Sequence, residues 1–124
     1  MIKKVAFTMY PVLDMKRARD FYENILKLEV GKIFEHPNGI WVEYDLPEGG
    51  CLALTTLAKD VNPSANSGGS IAFEVEDLNQ MLDELKAKNV KIIMDKLVTE
   101  NVCSMAVILD SEGNSITLHQ LKGK

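Results

Sequence analysis

Asp110-Ser-Glu-Gly-Asn-Ser-Ile-Thr-Leu-His-Gln120 combines a turn with the last strand pattern of the chain. A weaker copy, Leu46-Pro-Glu-Gly-Gly-Cys-Leu-Ala-Leu-Thr-Thr56, aligns with it without a gap at an offset of 64 residues, and both turns carry a glycine at the same position. Asp14 and Asp77, which are 63 residues apart, each follow a short apolar run and open a helical pattern. Two features repeated in the same order at nearly the same spacing indicate an internal duplication.

The length of the chain favours one domain over 1–124. A chain of this size can bury a real core, whereas two modules of about 60 residues would each be marginal alone. We therefore expect the two modules to share a sheet or a core.

Charge, hydropathy and cysteine content restrict the partners and the location. The net charge of -4 argues against nucleic acid or an anionic membrane as a partner. No apolar run reaches the length of a membrane span, and the N-terminal residues lack the apolar core of a signal peptide. Cys51 and Cys103 show no metal-type spacing, and a reduced, cytoplasmic protein without a disulfide is the simplest interpretation.

The first module, about 3–57, is predicted to be β-α-β-β-β. Residues 3–12 are rich in β-branched and aromatic side chains and predict a strand. Asp14 is the expected N-cap of a helix over about 15–27, where apolar residues recur at helical spacing. An Asn-Gly turn then indicates a hairpin between two strands. The three strands after the helix are predicted at 30–36, 40–46 and 51–56.

The second module, about 70–121, repeats this order after a linker at about 58–69, which is rich in turn-forming residues. A functional loop is the alternative for this linker. A strand from 70 to 76 precedes a helix opened by Asp77, which with Gln80 predicts a capping box. The later strands are predicted near 90–94, 103–109 and 115–121, with 95–102 as a less regular connection.

The paired modules, the Ile71-Ala-Phe-Glu-Val-Glu-Asp77 run and the final turn and strand together resemble the vicinal oxygen chelate superfamily. This superfamily includes glyoxalase I, extradiol dioxygenases, fosfomycin resistance enzymes and bleomycin resistance proteins. The similarity spans roughly 4–121 and includes Asp14 with Phe21-Tyr22. It implies an α+β fold in which two βαβββ modules form a curved mixed sheet around a cleft, and it implies a homodimer.

In metal-using members of this superfamily, each module supplies one metal ligand from its first strand and one from its last. The resemblance places Phe7 and Ser70 at the first-strand positions and Ala53 and Thr117 at the last-strand positions. Divalent metals of this kind need imidazole nitrogen or carboxylate oxygen, and these four side chains offer neither. We therefore expect no metal cofactor at the inherited position, so Lewis-acid activation of a substrate oxygen is not expected there.

Strand alternation predicts what surrounds these positions, because side chains at i and i+2 share a face. On the strands that begin near 51, 70 and 115, large aliphatic residues take one face and small or polar residues the other. A sheet face that is packed only for stability normally carries large side chains. The face with small residues therefore predicts the wall of a ligand cavity. The predicted ligand-binding residues are Phe7, Cys51, Ala53, Ser70, Glu74, Thr117 and His119.

His119 is the one side chain on this predicted face that titrates near neutral pH, and Glu74 is the obvious carboxylate. Proton transfer between His119 and a bound ligand is one interpretation; hydrogen bonding of His119 within the fold and solvation of Glu74 are the alternatives. Cys51 has no evident neighbouring base, which favours a structural thiol over a reactive one. No catalytic residue is assigned.

Two classes of function follow. The first is a metal-free small-molecule binder of the bleomycin-resistance type, which sequesters its ligand, although the sequence shows no dense acidic or aromatic set suited to a large cationic antibiotic. The second is a divalent-metal-dependent glyoxalase- or dioxygenase-like enzyme with displaced ligands, such as His119 with Glu43 or Glu74. A metal-free lyase or isomerase that uses His119, and a structural or interaction module, are further alternatives.

Overall fold

The computed structural model describes residues 1–99 and 103–121, which form two compact units, Met1–Pro63 (unit 1) and the residues from Ser64 onward (unit 2). Each unit contributes one β-α-β-β-β series, which confirms the predicted α+β fold. The elements of unit 1 are β1 (Thr8–Pro11), α1 (Met15–Asp20), β2 (Val30–His36), β3 (Gly39–Asp45) and β4 (Cys51–Thr55). Those of unit 2 are β5 (Ile71–Glu74), α2 (Leu78–Ala87), β6 (Ile92–Thr99), β7 (Cys103–Leu109) and β8 (Ser115–Leu121).

Each unit has its own four-stranded mixed sheet, in the order β1-β4-β3-β2 in unit 1 and β5-β8-β7-β6 in unit 2. The first strand of each unit runs parallel to its last strand, and the other pairs are antiparallel. Thr8 lies opposite Leu52, and Ile71 lies opposite Ile116. These pairs are related by the offsets that the sequence repeat shows, so the duplication extends to the pairing register.

The turn before the last strand is also built in the same way in both units. In unit 1 the N–H of Leu46 donates to the carbonyl of Gly50 at 3.0 Å, and in unit 2 the N–H of Asp110 donates to the carbonyl of Asn114 at 2.9 Å. Gly49 and its counterpart in unit 2 both have positive φ, 119° and 94°, which explains the glycine in each copy. Backbone geometry alone thus requires part of the repeated motif.

Two strand predictions differ from the structure. The first strand is shorter than the predicted 3–12, since β1 contains only Thr8–Pro11. The prediction of an irregular 95–102 connection is wrong for its described part, because β6 continues to Thr99 with register shifts near Met94. Bulges of this kind weaken the alternation from which a strand is predicted. Residues 100–102 of that prediction lie outside the described residues.

Both predicted N-caps are present. The Asp14 carboxylate accepts from the N–H of Arg17, and the Asp77 carboxylate accepts from the N–H of Gln80, each at 3.0 Å. The reciprocal half of the capping box is different, because the Gln80 side chain donates to Glu84 at 3.2 Å. The first N–H of α2, that of Leu78, instead donates to the side chain of Gln120 at 2.8 Å.

In unit 1 a polar network joins the helical segment to the sheet. A π-helical turn, Phe21–Ile25, follows α1 and places Glu23 beside the buried Tyr44 of β3. The Tyr44 hydroxyl donates to Glu23 at 2.7 Å, and Arg19 Nε donates to the same carboxylate at 2.7 Å. Burial, followed by the bond to Glu23, raises the pKa of Tyr44. Burial opposes ionisation of Glu23, but the bonds from Arg19 and Tyr44 outweigh it and leave the pKa of Glu23 below its ordinary value.

The large apolar side chains of each sheet are buried on the face that carries these helix contacts. In unit 1 this face holds Tyr10, Val42, Tyr44, Leu52 and Leu54, and in unit 2 it holds Phe73, Ala106, Ile108, Ile116 and Leu118. Neither helix in the described part of the chain has the length and apolarity needed to cross a membrane. The opposite face of each sheet, here called its far face, is the candidate surface for ligand binding.

Candidate functional site

The far face of unit 2 is formed by two rows of paired residues. Ala72, Thr117 and Val107 lie side by side on β5, β8 and β7. In the next row along the strands lie Glu74, His119 and Met105. All six are exposed or half-buried, in contrast to the buried residues that alternate with them. Ser70, the remaining predicted site residue of this unit, is exposed just before β5.

Glu74 and His119 form the polar centre of this face. The Nδ1 atom of His119 lies 2.5 Å from Oε1 of Glu74, and Oε2 of Glu74 accepts from the N–H of Leu121 at 2.8 Å. The bond with His119, followed by that with Leu121, lowers the pKa of Glu74 below its usual value. At neutral pH Glu74 is therefore an ionised carboxylate, which can only accept hydrogen bonds. A neutral His119 then carries its ring proton on Nδ1, which leaves Nε2 as an acceptor.

We predict that the two histidines of the chain are opposite tautomers at neutral pH. His36, the last residue of β2, accepts a hydrogen bond from the N–H of Asn38 at its Nδ1 (3.1 Å), so the proton of the neutral ring belongs on Nε2. The Nδ1 of His119 donates to Glu74 instead. Long-range ¹H–¹⁵N spectra should show this difference, with His36 as the internal reference. A neutral His119 with its proton on Nε2 would contradict the assignment.

The far face of unit 1 is covered by aromatic rings. Phe7 and Trp41 approach from either side of β4, and their rings meet edge to face at 5.0 Å between centroids. Ala53 lies on the same face of β4 between them and is fully buried. Rings that meet across β4 must pass over its side chains on that face, and a methyl group is small enough to lie beneath them. Met9, paired with Ala53, remains 37% exposed.

Sequence reasoning missed the rest of this aromatic set. Phe34 on β2 pairs with Trp41 on β3, which places both rings on the far face, and Phe34 is 53% exposed. Glu43 lies two residues along from Trp41 and accepts a hydrogen bond from its indole Nε1 at 2.8 Å. The far face of unit 1 therefore brings together aromatic rings and one carboxylate that the sequence analysis did not group. The spacing of Trp41 and Glu43, two residues apart on one strand, was the sequence feature that could have predicted their shared face.

Cys51 lies at the end of this face and is not a reactive thiol. Burial, followed by the nearby carboxylates of Glu43 and Asp45, raises the pKa of Cys51, so the thiol stays protonated at neutral pH. Cys51 and Cys103 are both free.

The inherited metal positions do not fit a metal ion. Phe7 contacts Trp41, Ala53 is buried beneath the rings, and Ser70 and Thr117 offer only hydroxyl groups. Within residues 1–99 and 103–121, no three His, Cys, Asp or Glu side chains come close enough together to hold a metal ion. His119 and Glu74, which were considered as metal ligands at a different position, form a hydrogen bond with each other.

A shallow cavity of about 740 Å³ lies elsewhere in unit 1, along α1 and the π-helical turn, and includes Ile40. Four of its polar side chains bond to each other in pairs, since Arg19 contacts Glu23 and the Asn24 amide donates to Asp20 at 2.6 Å. Groups that are already paired along one helix do not converge on a ligand. The far faces are therefore the better candidates.

Comparisons with known proteins agree with this fold. A family model described as the Glyoxalase/Bleomycin resistance protein/Dioxygenase superfamily matches residues 4–118. A sequence search of curated proteins gave no significant match.

Among solved structures, TnmS3, an antibiotic binding protein from Streptomyces sp. CB03234, is 21% identical with a TM-score of 0.80, and the match covers 98% of both chains. A glyoxalase family protein from Bacillus cereus is 18% identical with a TM-score of 0.79, over 99% of this chain and 97% of that one. Glyoxalase I from Leishmania major is 24% identical with a TM-score of 0.77, over 96% and 87%. These likenesses concern the fold, and the family model covers most of the sequence: the chain belongs to the Glyoxalase/Bleomycin resistance protein/Dioxygenase superfamily.

Proposed function

We propose that this protein is a metal-free, cytoplasmic, homodimeric small-molecule binder that sequesters its ligand on the far faces of its sheets. The observation that carries the proposal is the replacement of the four inherited ligand positions by side chains that cannot hold a metal, on faces that still expose rings and polar groups. Phe7 and Phe34 are 43% and 53% exposed on the far face of unit 1. Exposed rings on a sheet face favour stacking against a flat ligand.

The chemistry of the unit 1 face narrows the ligand class. Trp41 and Phe34 offer adjacent aromatic surfaces, and Glu43 adds a carboxylate beside them. A flat ligand with a positive or hydrogen-bond-donating group matches this combination, since cations bind over aromatic faces and near carboxylates. The fold shared with an antibiotic binding protein is consistent with this proposal and does not identify the ligand.

Trp41 is the single tryptophan of the chain, so its fluorescence reports on this face. We predict that a flat ligand found by screening antibiotics, α-keto acids and thiol adducts quenches Trp41. Replacing Phe34 with Ala should weaken the binding of that ligand about two- to twelvefold, because the loss of one aromatic contact costs about 0.5–1.5 kcal/mol.

Ile33 provides the matched control for this experiment. It is 43% exposed on the same strand, and it pairs with the buried Val42 on the opposite face. Ile33→Ala should leave the affinity unchanged. The proposal fails if no compound of these classes quenches the fluorescence of Trp41. It also fails if Phe34→Ala binds the ligand as tightly as Ile33→Ala and the original protein do.

The alternative of a metal-dependent glyoxalase- or dioxygenase-like enzyme has a direct test. Elemental analysis of protein purified without chelator separates the two functions. We expect divalent metal far below one ion per chain, and a stoichiometric ion would favour the enzyme.

A further inference from the structure

We propose that Nε2 of His119 accepts a hydrogen bond from a hydroxyl group of the bound molecule, so that the far face of unit 2 selects phenols or enols over their ethers. This inference rests on the proposed small-molecule function and names the chemical group that unit 2 recognises. It concerns specificity and requires no reaction.

The orientation of the His119 ring is fixed from one side. Its Nδ1 is bound to Glu74, and Glu74 is itself held by the backbone N–H of Leu121. The proton on Nδ1 is therefore donated to Glu74. The lone pair of Nε2 has no hydrogen-bond partner among the described residues. The side chain of His119 is 26% exposed, so this acceptor is within reach of a small molecule.

The residues around His119 suit a hydroxyl group attached to an apolar ring. Met105 pairs with His119, and Val107 pairs with Thr117, so an apolar strip of β7 borders the two polar residues of β8. Methionine adapts to differently shaped apolar ligands. The Thr117 hydroxyl lies on the same face, one row from His119, and adds a second polar group.

The equivalent place in unit 1 does not offer the same recognition. The residue that corresponds to His119 there is Thr55, which is 1% exposed and pairs with Trp41. A preference for hydroxyl groups should therefore depend on unit 2 alone. This makes His119 the residue to test.

The expected selectivity follows from the bond that an ether cannot make. A hydrogen bond with a partner polarised by an ionised group contributes about 1.5–3 kcal/mol, which corresponds to roughly ten- to hundredfold in affinity. A site built to pair with a hydroxyl rejects the analogue that leaves its acceptor unpaired.

Two probes test the inference by equilibrium dialysis at neutral pH: 1-naphthol, which carries a hydroxyl group, and 1-methoxynaphthalene, which carries the methyl ether instead. We expect the protein to prefer 1-naphthol by at least about tenfold. His119→Phe keeps a ring of similar shape without the acceptor, and it should bind both probes equally. His36→Phe, at the exposed end of β2, is the matched control and should keep the preference.

Equal binding of the two probes to the original protein would overturn the inference and leave small-molecule binding intact. A preference that survives in His119→Phe would also overturn it. If neither probe binds, the inference fails as well, and the Trp41 screen still decides the proposed function independently.

Discussion

Ala53→Glu is expected to lower the free energy of unfolding by about 3 kcal/mol or more, because it places a carboxylate at a fully buried position without a partner. The longer side chain must also displace the Phe7 and Trp41 rings, which meet across the strand that carries Ala53. The substitution places a carboxylate at one of the last-strand positions to which the resemblance assigns a metal ligand. The structure nevertheless predicts a loss of stability.

Thr117→Glu is the matched control, because Thr117 occupies the same position in unit 2. There the side chain is half-buried on an uncovered row beside Ala72 and Val107. A new carboxylate can reach solvent from that position, so we expect a loss of less than about 1 kcal/mol. Urea denaturation of both variants measures the difference. Equal losses in the free energy of unfolding would contradict the difference in burial between Ala53 and Thr117.

Asp110→Ala is expected to lower the free energy of unfolding by about 2–4 kcal/mol, since a nearly buried carboxylate leaves several donors unpaired. One oxygen of Asp110 accepts from the N–H groups of Glu112 and Asn114, both at 2.8 Å, and the other accepts from the Asn114 side chain at 3.1 Å. Asn114 in turn accepts from the N–H of Ser64 at 3.1 Å. The substitution therefore loosens the turn and its connection to the start of unit 2.

Glu48→Ala, in the equivalent turn of unit 1, is the control for Asp110→Ala. Glu48 is exposed, and its removal should change stability by less than about 0.5 kcal/mol. Thermal and urea unfolding of the two variants provide the comparison. A comparable loss in both would mean that the Asp110 carboxylate does not organise its turn.

Sequence reasoning found the parts of this protein that depend on local patterns. The repeated turn, the caps at Asp14 and Asp77 and the division of each strand into two faces all depend on residues within a few positions of each other. The sheet faces that pack against the helices were predicted correctly for the same reason, because the large aliphatic residues that alternate along each strand are buried together.

The parts that were missed depend on side chains that meet across strands. The contact between Phe7 and Trp41 joins residues 34 positions apart in sequence on opposite sides of β4. The Gln120 bond to the first turn of α2 likewise connects residues 42 positions apart. The hydrogen bond between Glu74 and His119 was not predicted, since alternation gives the face of a residue without its distance from a partner.

The last strand of each unit pairs with its two neighbours in the same register, which has a practical consequence for engineering. Strands β1, β3 and β4 have residue-for-residue counterparts in β5, β7 and β8, so these strands can be exchanged between the units without changing the turns before β4 and β8. In such chimaeras one unit serves as the template for the other.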